Sequence, residues 1–178
     1  MISEYHKVQK EKEKEWREGT EPERARLVAE AEARRAEAAG DEIDKRFAAA
    51  LALAAEGDHH AAAKAWRKLI KERPHEPEQC YNLANVLQRS DRDVEAASMF
   101  LKAMELYKDG TEDWAKAAAS AFDLLKLPEC DEVPKPEWWN DEGLKALSAR
   151  VVALAPDDAF ACAMRARVLC GNALYSKS

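Results

Sequence analysis

The chain has 178 residues, 35 of them alanine, and a net charge of −6. Valine, isoleucine and threonine together number 13, too few to fill the faces of a sizeable sheet, whereas the Ala, Leu, Glu, Lys and Arg that dominate are strong helix formers. The charge offers no overall basic field for nucleic acid, and no apolar run approaches the 18 residues of a membrane-spanning helix. An all-α protein is expected.

Helix start and stop signals divide the chain. A first polar helix is expected from Ser3 to Glu18. Thr20 then caps a second helix, with Glu23 as capping-box partner and Pro22 in the first turn, ending near Gly40. Asp41 opens a third that stops at Gly57, and Asp58 a fourth that stops at Pro74. Further helices are expected from Pro77 to Arg89, from Asp93 to Tyr107, and from Thr111 to Lys126. An insertion over residues 127–140 carries Pro128, Pro134 and Pro136. Two helices follow, Asp141 to Leu154 and Asp157 past Cys170.

From Asp41 onward the helices are short and paired, and a period of 34 residues links them. Ala50 recurs as Ala84 and Ala118, Ala62 as Ala96, Trp66 as Phe100, Leu69 as Ala103, and Gly57 as Asp91. Allowing 14 extra residues for the insertion, Pro74 matches Pro156 and Ala118 matches Ala166. Small residues in the first two sets permit close helix approach, and the Trp66/Phe100 set fills the space between successive pairs. Such a pair cannot bury its apolar face alone, so neighbours must stack.

This pattern resembles the tetratricopeptide repeat (TPR) family. The clearest unit is Tyr81-Asn82-Leu83-Ala84-Asn85-Val86-Leu87 followed by Ala96, Phe100 and Ala103, and the likeness spans about residues 43 to 171. The third unit departs from the pattern after the insertion, with Leu144 and Ser148 where small and aromatic residues belong. The resemblance implies a short α-solenoid of about 3.5 helix pairs over residues 41–178, preceded by a long helical N-terminal arm over residues 1–40. It also implies a concave face that binds an extended peptide or a partner helix. Carried onto this sequence, that groove is lined by Asp44, Phe47 and Leu51, then Tyr81, Asn82, Asn85 and Arg89, then Glu112, Ala115, Lys116 and Ala119.

The implied function is a non-catalytic scaffold for other proteins, an accessory subunit of a larger assembly. The alternative is a co-chaperone or assembly factor that binds partner tails transiently. TPR co-chaperones hold carboxylate tails with several convergent donors. Asn82 and Lys116 fit that clamp, but Phe47, Leu51 and Glu112 stand where other donors belong, so the clamp is expected to be absent. Trp138 and Trp139 in the insertion are candidate interface anchors, the other reading being one ring folded back over the end of the helix pair and the other half exposed. In the arm, Ile2, Tyr5 and Val8 form a narrow stripe which, with Trp16, is expected to dock on a partner or on the repeats.

Catalysis is not expected. The chain has no Gly-rich phosphate loop, G-x-S-x-G or H-E-x-x-H motif, and the adjacent His59 and His60 point about 100° apart on a helix. Cys80, Cys130, Cys162 and Cys170 form no zinc spacing, and reduced thiols are the default. No metal, cofactor, small-molecule substrate, nucleic acid or membrane insertion is anticipated. Absence of targeting signals favours a cytoplasmic or nuclear address; an organelle would require that a targeting segment had been removed. Phe160, Met164 and Val168 of the last helix are expected to lack a following partner helix within this chain.

Overall fold

The computed structural model describes residues 21–39 and 42–171. Among them are eight α-helices and one short 3-10 turn, with no strand: α1 (Glu21–Ala39), α2 (Glu42–Ala55), α3 (His59–Glu72), α4 (Pro77–Gln88), α5 (Asp93–Leu106), α6 (Glu112–Leu125), the turn Pro128–Cys130, α7 (Asp141–Leu154) and α8 (Ala159–Leu169). Every helix expected after Gly19 is present. The helix expected over Ser3–Glu18 lies outside the described residues, as do Thr20, Gly40 and Asp41.

The helix ends follow from local chemistry. Asp58 accepts the Ala61 N–H at 2.9 Å, Thr111 the Trp114 N–H at 3.3 Å, and Asn140 the Gly143 N–H at 2.9 Å, each covering a donor that the first turn leaves unpaired. The cap of α8 is Asp158, one residue beyond the expected Asp157, and it accepts from Ala161 at 2.9 Å. Pro77 opens α4, where its missing N–H is harmless.

The 34-residue period appears in the backbone itself. After α2 the chain turns at Gly57 with φ 85°, and Asp58 donates back to the Leu53 carbonyl at 3.0 Å. One period later it turns at Asp91 with φ 55°, and Arg92 donates to the Leu87 carbonyl at 3.0 Å. Both are left-handed helix stops of the same kind, although only the first has the residue that adopts φ > 0 without a Cβ penalty.

The chain divides into two compact units, residues 1–65 and 66–178, the division falling within α3. In the first, α1 packs against α2, and Ala29, Ala48, Ala50, Ala62 and Ala63 are buried. In the second, α4 packs on α5, α5 on α6, α6 on α7, and α8 on both α6 and α7. Helix α6 is the centre of this unit, burying ten of its fourteen residues. With Leu144, Leu147 and Val151 of α7, and Ala161, Met164 and Val168 of α8, its Trp114, Ala115, Ala118, Ala119 and Phe122 form one core.

Burial follows the period closely through α7. Ala50, Ala84 and Ala118 are fully buried, as are Ala62 and Ala96, Trp66 and Phe100, and also Leu144 and Ser148 of the atypical helix α7. Ser148 stands where Trp66 and Phe100 stand in earlier pairs, and its hydroxyl meets Nη1 of Arg165 at 3.1 Å. In α8 the match fails. Ala166, expected to repeat Ala118, is exposed, while Met164 is buried. In this last helix Met164 and Val168 are covered by the preceding helices α6 and α7, and Phe160 is 42% accessible. A helix touching two neighbours on one side buries only a narrow stripe, and here that stripe is Ala161, Met164 and Val168. Arg167 pairs with Asp123, which also meets Lys126, and so ties α8 to the end of α6.

Candidate ligand cleft

The second unit opens a cleft of about 610 Å³ between the N-terminal ends of α4, α6 and α8. Its walls are Glu76, Pro77, Glu78, Tyr81 and Asn82 from the start of α4, Tyr107 just after α5, Asp113 and Lys116 from the first turns of α6, and the cap Asp158. The volume falls within the ~300–1,000 Å³ of ordinary ligand sites.

Two half-buried phenols, Tyr81 and Tyr107, line the cleft. The Tyr81 ring meets Phe100 edge-on at 5.3 Å and Tyr107 edge-on at 6.4 Å, the favoured geometry for rings with a negative face and positive rim. The side chains of Ser120 and Asn85 lie near the Tyr81 hydroxyl. Burial pushes both phenols above the ordinary range. The Asp158 carboxylate adds to this at Tyr81, where Ser120, Lys116 and Asn85 pull the other way, and Asp113 and Glu78 add to it at Tyr107. Lys116 sits 2.6 Å from Glu112 one turn earlier, and that bond raises the ammonium's pKa against the opposing effect of burial.

The residues expected to line a groove separate into groups. Tyr81, Asn82 and Lys116 come together in the cleft; Asn85 lies near the Tyr81 hydroxyl, and Glu112 binds Lys116. Arg89 is exposed just past the end of α4. Ala115 and Ala119 are fully buried in the core of the second unit and cannot line a groove, because their face of α6 is covered by α7 and α8. Asp44 (exposed), Phe47 and Leu51 (both half-buried) lie on α2 in the first unit. Ile2, Tyr5, Val8 and Trp16 lie outside the described residues.

In the insertion, Trp138 and Trp139 are half-buried against the core formed by α6, α7 and α8. Trp139 lies 5.7 Å from Phe122 and 5.8 Å from Trp138, with the Lys135 ammonium 5.4 Å from its ring centre. Lys135 donates to the carbonyls of Leu125 at 2.8 Å and Cys130 at 2.9 Å, fastening the insertion to the end of α6. At the other end Trp138 presses on α7 at Gly143, where any Cβ would fall 2.5 Å from the Trp138 carbonyl oxygen.

Four carboxylates of the cleft wall, Tyr107 and Pro77 were missed in the sequence. Glu78 and Asp113 stand three residues before Tyr81 and Lys116, so the helical neighbour rule could have found them. Tyr107 could not be found that way, because its place depends on how the chain leaves α5. Among the described residues no group of His, Cys, Asp and Glu could hold a metal ion, and no helix is long and apolar enough to cross a membrane. Burial pushes the thiols of Cys80 and Cys130 up, away from reactive thiolate. The chain matches no family model and no curated protein.

Proposed function

We propose that this chain is a non-catalytic protein-binding module, a TPR-like helical solenoid serving as an accessory subunit of a larger assembly. One observation carries the reading. Tyr81, Asn82 and Lys116, which lie on the first helices of successive pairs, reach the same cleft. That is the placement by which stacked helix pairs present a continuous binding face to a partner segment. The 34-residue register of buried alanines and the matching turns at Gly57 and Asp91 support the solenoid. The chemistry of the cleft supports a binding role over a catalytic one. A general acid or base needs a pKa near the working pH, and the phenols here are pushed away from it. The cleft also disfavours the alternative of capturing acidic partner tails, since its lysine is engaged by Glu112 among four carboxylates.

The test is a photo-crosslinking amino acid at position 82 of the full chain, expressed in native cells. Crosslinking to a defined partner, with elution well above 20 kDa and loss of both in a Tyr81→Ala variant of unchanged helicity, is the expected result. Elution as a free 20 kDa chain without crosslinks would overturn the reading.

A further inference from the structure

We propose that the outer face of α8 is the docking site for the N-terminal segment, residues 1–18, of a second copy of this chain, so that copies join head to tail. The cleft has no part in this contact, and failure of the one leaves the other standing.

The repeat register identifies what α8 lacks. Cys80, Ala84 and Leu87 of α4 are buried, as are their counterparts one period on in α6, Trp114, Ala118 and Ala121. The second helix of each pair covers this face: Cys80 shares a buried cluster with Ala103 of α5, and Trp114 and Ala118 share one with Leu144 and Val151 of α7. The next counterparts, Cys162, Ala166 and Leu169 of α8, are exposed, Leu169 by 64%. Arg167, the one charged residue among the exposed residues of α8, is already paired with Asp123. A helix that is apolar nearly all round has a covered outer face.

The second helices also show what fits there. Ala62, Trp66 and Leu69 of α3, Ala96, Phe100 and Ala103 of α5, and Leu144, Ser148 and Val151 of α7 are all buried, at positions i, i+4 and i+7. Met1, Tyr5 and Val8 repeat that spacing in the N-terminal segment, with an aromatic ring at the centre as in α3 and α5. Lysines and glutamates dominate the segment from Lys7 to Arg17, so this stripe is the apolar surface it has to bury. In stacked helix pairs each element meets only its neighbours, and a contact between first and last elements therefore joins one copy to the next.

The test is sedimentation velocity on the purified full chain over a range of concentrations, together with two double variants. The wild type is expected to gain mass as concentration rises. Tyr5→Glu/Val8→Glu and Ala166→Glu/Leu169→Glu should each weaken association by about a hundredfold, because either one buries two unpartnered carboxylates at the junction. Mixed together, the two variants are expected to form a dimer, since the first keeps an intact α8 and the second an intact N-terminal segment. A wild type that stays a single chain at every concentration would overturn the proposal, and with it any docking between copies. Association lost in the α8 variant alone would mean that α8 meets α8 and would overturn it too. So would association kept by both variants, or a mixture that fails to dimerise. Ala166 and Leu169 are exposed within one chain, so glutamate there leaves the core intact, and melting temperatures near that of wild type confirm that folded proteins are being compared.

Discussion

Helix α6 holds five alanines and buries all of them completely; helix α1 holds seven, among which Ala29 is buried while Ala31 and Ala33 face solvent. In α6, alanine is a spacing device: α5, α7 and α8 all pack against it, and they reach it because five positions carry nothing beyond a Cβ. In α1 the same residue acts through propensity, keeping a mostly polar helix helical without an extensive buried face. A composition count cannot tell these apart, but substitution can.

The largest effect is expected where α6 carries its more deeply buried ring, Phe122, into the core. Phe122→Ala should cost about 3–5 kcal/mol by urea denaturation, because the ring is 1% exposed and touches Trp139. Val28→Ala in α1, at a site 43% exposed, should stay within about 0.5 kcal/mol. A small loss at Phe122 would remove α6 from the centre of its unit. Next come the alanines themselves. Ala118→Leu should destabilise by about 1–3 kcal/mol through overpacking, whereas Ala33→Leu should change little, about 0.5 kcal/mol either way. Equal effects at both sites would erase the distinction between spacing and propensity.

The smallest effect lies at the open end of α6, where Asp113 faces Tyr107. The folded chain holds this phenol above its ordinary value, through burial first and then Asp113 and Glu78. The neutral ring is therefore favoured by folding. That contribution is fully present below a pH of about 10 and is lost as pH rises from there toward the raised value. Denaturation at pH 9 and pH 11 should show a greater alkaline loss in wild type than in Tyr107→Phe. Identical losses would mean that the ring is open to solvent when folded.

Much of this architecture was legible in the sequence because its signals are local or periodic. Caps such as Asp58 and Thr111 act within three residues, and the period put Ala84, Ala96, Phe100 and even the atypical Leu144 and Ser148 at buried positions. The period failed in α8, where Met164 is buried and Ala166 is not, because that helix packs along one narrow stripe against α6 and α7. The cleft was half legible. Tyr81, Asn82 and Lys116 follow from helical register, whereas Tyr107 and Asp158 depend on where two turns deliver the chain. Ala115 and Ala119 were misjudged because a first helix flanked on several sides has little free face left.

The insertion's paired indoles give the molecule an optical reporter. Two identical chromophores 5.8 Å apart and inclined by 56° couple their transitions, and such coupling splits an ultraviolet band into a circular-dichroism couplet. Its amplitude depends steeply on separation and angle, so it registers the seating of residues 127–140 on α6 and α7 without any label. Gly143 is the position that sets that seating, and Gly143→Ala should flatten the couplet while leaving the helical signal near 222 nm almost intact.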